Sequence, residues 1–403
     1  MSQVSNTSSK FERLNGKSSP ITPNHANGPL LPTMHIEPTR RSDVDARQVE
    51  LSKILVHAGC DWCLLFDPAN ISWITAGMQF YEWYPESEKP VIFVNLMNRS
   101  VICSTMDTQP LFDNDLDGLG FGVKEYPWHL GRDRYLEQLT MNRKVACDRP
   151  FKACIDISET LGQVRSTLSE FEQTRYRELG HILAHAVEAT ARNIQPGESE
   201  IEIAGQLGHR LVKRGLLPIS LSVIADDRLK QHYRSLPTKA TVNNRCLIHA
   251  TASAHGLVAT ASRTVCFGKP DEELKVVYDQ VCRLQSILRS RCKPGELVKT
   301  VLRVGQAFLL NTEYEHEWRK HSFGCRIGRS SMEGRLLHAG SDATFLEGQP
   351  IAWETTLGSY RIVETIIPQK TGEESITGPL EWPIRRVRLS DMTFSLPDYL
   401  VVP

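Results

Sequence analysis

Five side chains in this chain of 403 residues have the types and settings for acid–base chemistry. His232 lies in "KQHYRSLP", His249 in the apolar "CLIHAT", His321 in "HEWRKHSFG", Glu354 at the end of "IAWE" and Glu364 in "RIVET". An imidazole takes up and returns a proton near neutral pH, so each histidine is a candidate acid or base. A carboxylate on an apolar strand is costly to bury alone. It must either pair with a cation or face a cleft where it can act. For Glu354 the structural partners are Arg361 or His321. The histidines have plain readings too: His232 as a surface group between Lys230 and Arg234, and His249 as a hydrogen-bonded core residue. Arg263, in "ASRTV", either holds the sheet by pairing with an acid or meets substrate.

The elements that must position these groups follow from periodicity. Residues 1–42, rich in Ser, Asn, Pro and Gly, have no apolar period and are expected to be a flexible leader. Residues 43–162 alternate a helical "DVDARQVELSKILVHAG", a strand "WCLLF", a helix-capable "DPANISWITAG" and strands "PVIFVNL", "SVICST" and "KVACD", which predicts a small α/β domain. From residue 163 to 385 long helices take over. One begins at Thr167 or Ser169 and stops at Pro196-Gly197; a second runs from Ser199 to Gly215; a third covers about 271–292; a fourth starts near 297. Strands are expected at 219–225, 246–251, 257–266, 350–356 and 361–367, with a tight turn at Ala254-His255-Gly256. Helix pairs each followed by antiparallel strands predict two similar halves around one sheet. Residues 386–403 are left as a C-terminal tail.

Composition narrows the partners. Lys plus Arg and Asp plus Glu number 47 each, so there is no net field to hold nucleic acid or an anionic membrane. The longest apolar runs, such as "PVIFVNLM", are strand-length, far short of the roughly 20 residues of a membrane helix. The N-terminus lacks the pattern of a secretory signal, and a cytoplasmic protein is expected. The ten cysteines are read as reduced thiols, because they fall mostly inside apolar runs. Cys60 and Cys63 form a C-x-x-C pair with no second pair or histidine pair nearby to complete a zinc site.

In order, "QPGESEIEIA", "DRLKQHYRSLP", "CLIHATASAHGLVATASRTVCFG", "KPGE", "HSFG", "FLEGQPIAWE" and "SYRIVETII" resemble the successive signatures of the creatinase, Xaa-Pro aminopeptidase and prolidase family. The resemblance spans about residues 45–375. It implies an α/β (α+β) pita-bread fold preceded by a smaller α/β domain, and a homodimer with its pocket near the subunit boundary. It also implies a small-molecule or short-peptide substrate.

Metal-dependent members of that family hold two divalent ions with two aspartates, one histidine and two glutamates. Here the position three before Arg263 is Thr260, and eleven before that is His249, so neither aspartate is present. His321 takes the histidine place, and Gly328 replaces a further histidine seven residues on. Glu354 takes the first glutamate place. The family's Arg-x-Glu-Asp becomes Arg361-Ile362-Val363-Glu364, a shift of one residue that sends Glu364 to the other face of its strand unless a bulge re-aims it. With one carboxylate where the family has four, a close pair of dications would be uncompensated, so no cofactor is expected. The alternative is a single divalent transition metal on His249, His321 and Glu354.

Creatinase hydrolyses a C–N bond without metal, using a histidine 17 residues before the first lost aspartate; the same count from His249 reaches His232. "HSFG" also occurs in creatinase. Ser262 stands where creatinase has a glutamate, which argues against a guanidinium substrate. The resemblance therefore implies a hydrolase of a small amide, amidine or peptide-like C–N bond. In it His232, His321 and Glu354 are catalytic, and His249, Arg263 and Glu364 contact substrate. The alternatives are a non-catalytic binding protein that keeps the pocket, or a residual Xaa-Pro peptidase.

Overall fold

In the computed structural model, which describes residues 37–79, 85–226, 228–231, 235–334 and 336–403, alternation of side chains across strands decides what each sheet face carries. The first sheet holds β1 (Trp62–Leu65), β2 (Val91–Asn95), β3 (Arg99–Ser104), β4 (Gly122–Tyr126), β5 (Val145–Cys147) and β6 (Ile155–Asp156) in the order β4-β3-β2-β1-β5-β6. Nearly every residue of β1 to β3 and β5 is buried, because helices and apolar clusters cover both faces. The helix ahead of it starts at Pro38, inside the expected leader, since a proline fits the first helical turn without losing a hydrogen bond. Residues 1–36 lie outside the described residues.

The second sheet contains β7 (Leu217–Ala225), β8 (Arg245–Ala254), β9 (Leu257–Phe267), β10 (Gly324–Arg326), β11 (Ile351–Leu357) and β12 (Tyr360–Gln369), ordered β10-β11-β12-β9-β8-β7. β13 (Gly372–Ser375) joins β12. The expected C-terminal tail forms strands: β14 (Ile384–Leu389) and β15 (Met392–Pro397) make a hairpin, and β16 (Tyr399–Val402) pairs in parallel with β9.

Two helix pairs cover one face of this sheet. Glu170–Ala191 and Glu200–Val212 pack on β7 to β9, while Glu272–Arg291 and Val298–Leu309 pack on β11 and β12. Ser169 with Glu172 and Ser199 with Glu202 form complete capping boxes that start the first pair where their spacing predicts. On β8 the residues Cys246, Ile248, Ala250 and Ala252 face the helices; on β9 Ala259, Ala261 and Val265 do so; on β11 and β12 Trp353, Ile362 and Ile366 do so. The alternate residues of these strands therefore face away from the helices.

The turn between β8 and β9 has His255 at φ 51° and Gly256 at φ 66°, the two positive values of a type I′ hairpin. Gly256 is required for a second reason: a Cβ there would lie 1.9 Å from Ser72 Oγ, whose hydroxyl donates to the Gly256 carbonyl at 3.1 Å. Both sheets lie in one compact unit, Ile36–Pro403. No helix among the described residues is long and apolar enough to cross a membrane.

Candidate active site

A cavity of about 790 Å³ opens on the sheet face that the helices leave free. His249 and Thr251 of β8, Thr260 of β9, Ala352 and Glu354 of β11, and Arg361 and Val363 of β12 line its floor. His321, from the segment before β10, closes one side, and Ile219 to Ser222 of β7 the other.

Short contacts bind the floor together. His249 Nε2 and Thr260 Oγ1 are 2.7 Å apart across the hairpin, and Thr260 Oγ1 lies 3.0 Å from Thr251 Oγ1. The Thr260 amide donates to Thr365 Oγ1 at 3.0 Å, and Thr365 Oγ1 donates back to the Thr260 carbonyl at 2.9 Å. These paired bonds fix β12 against β9 where the ladder itself has one registered pair, Glu364 with Ala261. Opposite, Arg361 Nη1 stands 3.4 Å from Glu354 Oε1, and Arg361 Nε donates to Thr356 Oγ1 at 3.1 Å. Thr356 and Arg361 are cross-strand partners, so the register of β11 and β12 sets Arg361 on the same face as Glu354 and diagonal to it.

His321 is held by the "HSFG" segment. The Glu354 amide donates to the Phe323 carbonyl at 2.7 Å, and Gly324 pairs with Trp353. A Cβ on Gly324 would approach the Ala352 carbonyl oxygen to 2.3 Å, so only glycine allows the segment to dock on β11. The His321 side chain is almost fully buried, and Glu317 Oε2 lies 3.5 Å from its Nε2. Burial lowers the imidazole pKa below its usual value, against the opposing pull of the Glu317 and Glu354 carboxylates. At neutral pH the ring is neutral and can accept a proton.

Three of the expected site residues, His249, His321 and Glu354, thus share one cavity. Two do not. Arg263 falls on the helix face of β9, three residues from Thr260, and is 1 % exposed. Its Nε and Nη2 donate to Glu188 Oε1 at 3.0 and 2.8 Å, and Nη2 also reaches the Thr377 carbonyl. It clamps the helix Glu170–Ala191 to the sheet and cannot meet substrate. Glu364 likewise points to the helices: Arg289 Nη1 donates to it at 2.6 Å, and burial pushes its carboxyl above the ordinary range despite that partner. No bulge re-aims it, and Val363 takes the cavity position instead. His232 lies outside the described residues.

Sequence reasoning passed over Thr251 and treated Arg361 only as a partner for Glu354. Both were accessible by parity, since Thr251 is two residues from His249 and Arg361 is two from Val363 on strands of fixed alternation. Ile219, Leu236, Met332 and Leu336 also reach the cavity, from strand-edge and loop positions with no periodic signal.

Similarity to known proteins agrees with this architecture. The chain is 21% identical over 359 residues to an uncharacterized peptidase of Staphylococcus epidermidis, an alignment that covers 81% of this chain and 97% of the relative. It superposes on the prolidase from Pyrococcus horikoshii with a TM-score of 0.71 at 16% identity, covering 83% of this chain and 99% of that one. The X-Pro aminopeptidase from Thermotoga maritima gives a TM-score of 0.69 at 20% identity, covering 88% and 99%. Residues 174–393, more than half of the chain, match Metallopeptidase family M24. The chain belongs to that family, with its pita-bread fold, and is a peptidase-like hydrolase acting on C–N bonds.

Proposed function

We propose that this chain hydrolyses a small amide, amidine or peptide-like C–N bond without the pair of divalent ions implied by its family. One observation carries the reading: the cavity positions that the family resemblance assigns to acids hold His249, Thr260 and Val363, and the remaining lining carboxylate, Glu354, stands against Arg361. Two dications need several anionic oxygens, and here they would meet a guanidinium. The donor set does not fit them. Among the described residues no group of three or more His, Cys, Asp or Glu side chains converges as a metal site.

What the cavity does offer is protonatable and hydrogen-bonding groups. His321, kept neutral by burial, can take a proton from water as the oxygen attacks the carbonyl or amidine carbon. The negative charge that develops on the attacked group can be met by Arg361. The proton then passes to the leaving nitrogen as the C–N bond breaks. His232, assigned only by its sequence spacing from His249, relays that proton from His321 to the nitrogen, with Glu354 orienting water or substrate. Trp353 is packed in the core on the opposite face and does not fill the cavity, which leaves room for a small substrate.

The test is a panel of small amides, amidines and Xaa-Pro dipeptides assayed with chelator and with added manganese or cobalt. Turnover that survives the chelator and falls by roughly 10²–10⁴-fold in His232→Ala and Glu354→Gln supports the proposal. Turnover abolished by the chelator and restored by metal would refute it.

A further inference from the structure

We infer that the first sheet carries a binding site for a phosphate-type dianion, separate from the candidate active site. The site is a crevice of about 480 Å³ where β3 and β4 begin, beside the first half of the helix Pro38–Ala58. It shares no described lining residue with the active-site cavity, so the inference does not depend on what that cavity does. Strand pairing builds one wall. β3 and β4 run parallel with Ser100 opposite Gly122 and Ile102 opposite Lys124, so Ser100, Gly122 and Lys124 share one face of the sheet. Gly122 leaves the Ser100 hydroxyl uncovered, since a Cβ there would stand 3.4 Å from its Oγ. The helix builds the other wall. Arg41 Nε donates to both oxygens of Asp45 at 3.1 Å, and its Nη1 donates to the Gly118 carbonyl at 3.0 Å. Gly120, at φ 74°, makes room for that guanidinium, because a Cβ there would lie 2.7 Å from Arg41 Nη1. Arg99, itself buried, donates to Asp45 at 2.6 Å, to Gln48 Oε1 at 2.7 Å and to the Leu119 carbonyl at 3.0 Å. These bonds fix the charged groups in place, so binding would have little left to order.

Charge selects the ligand. Asp45 is the acid among the described lining residues, and it already accepts from two guanidinium groups. Lys124 adds a third cation, which forms no ion pair or hydrogen bond among the described residues. Arg41 is 41 % exposed at its side chain, and its Nη2 makes no hydrogen bond among them either. An anion in the crevice would therefore meet the Lys124 ammonium, the Arg41 guanidinium and the Ser100 hydroxyl. A phosphate offers each of these donors its own oxygen and brings up to two charges, where a carboxylate has two oxygens and one charge. The equal totals of acidic and basic residues in the chain conceal this local surplus.

Titration calorimetry of the full chain with inorganic phosphate, glycerol 3-phosphate and acetate, at one ionic strength set with sodium chloride, tests this. Saturable one-to-one binding of phosphate is expected, roughly tenfold tighter than acetate. Tighter binding of glycerol 3-phosphate assigns the ligand to a phosphate monoester, and tighter binding of the free ion to inorganic phosphate. Two variants localise the site, with circular dichroism to verify folding. Lys124→Glu reverses a charge that has no partner to lose. Gly122→Val fills the crevice without changing charge, at a strand position where a Cβ meets the Ser100 Oγ and the Arg99 carbonyl at 3.4 and 3.8 Å. Each should weaken phosphate binding by roughly tenfold or more, while Lys370→Glu, at an exposed position after β12, should change it by less than about twofold. Absence of saturable phosphate binding, a preference for acetate, or undiminished binding in either folded crevice variant overturns the inference. Binding is read without turnover, so a failed hydrolysis assay and a failed titration remain separate results.

Discussion

His249 and Thr260 meet at 2.7 Å on the cavity floor, across a hairpin whose other face is packed against helices. On the proposed reading, the pair stands in the places that the family resemblance assigns to acids. Because the strands set the direction of each side chain, that reading makes the difference one of chemistry and not of architecture. Restoring the acids should therefore restore the site. In His249→Asp/Thr260→Asp/Val363→Glu, three carboxylates would face one cavity with Glu354 and His321. This variant should be destabilised in chelator and rescued by manganese or cobalt, by about 2.7 kcal/mol at a hundredfold excess over Kd. Thermal melts with and without metal check it, with circular dichroism to verify folding; a folded variant indifferent to metal would show that the cavity geometry itself has moved.

The second prediction concerns pH. Burial lowers the His321 pKa from its ordinary 6.5, so the proton-accepting neutral form persists below that pH. Activity should therefore fall on the acidic side with a midpoint below 6.5 if His321 governs this limb. Glu317 raises this pKa, so Glu317→Gln should move the midpoint to still lower pH. A pH–rate profile on both proteins decides; an unmoved acid limb would remove His321 from the proton-transfer step.

Arg263 and Glu188 form a buried clamp, and Glu188 also accepts from the Leu380 and Glu381 amides at 3.1 and 3.0 Å. Arg263→Met leaves the buried Glu188 carboxylate with only the more distant Arg192, 4.0 Å away, as cation and should cost about 3–5 kcal/mol. Since Arg263 lies on the helix face, kcat per folded molecule should hold. Denaturant titration paired with kinetics separates the two effects, and a kinetic defect with full stability would return Arg263 to the site.

Asp115 supplies a check far from the cavity. Burial raises its pKa from 3.8 to about 6, with Arg40 opposing. The folded chain therefore holds a proton that the unfolded chain has released between these values, and stability falls as pH rises through this window. Asp115→Asn should be more stable than the parent above pH 6, by roughly 1–3 kcal/mol, with the gain shrinking as the pH drops toward 3.8. Melts across pH measure this, and a gain independent of pH would assign it to something other than the carboxyl.

Much of the scaffold was legible before the structure. Ser169 and Ser199 each have a glutamate three residues on, and both helices start there. The β8–β9 turn was marked by Gly256, although the contact with Ser72 that also requires glycine is long-range and leaves no local trace. In the site, alternation was the decisive signal. It correctly warned that Glu364 would turn away, yet the same count applied from Thr260 would have excluded Arg263. The partners Glu188 and Arg289 reside on helices far away in sequence, so their pairing with strand residues follows from helix packing that no local pattern encodes. The apolar part of the cavity lining was invisible for a like reason: Leu236 and Met332 come from irregular segments, and only the folded chain brings them to one cavity.

The most direct test is elemental analysis of the natively purified chain, without added metal and again after incubation with manganese, cobalt, zinc and iron followed by desalting. No stoichiometric ion should remain in either preparation. Two ions retained per chain, with activity that tracks their content, would contradict a cavity whose one acid among the described lining residues, Glu354, stands against Arg361.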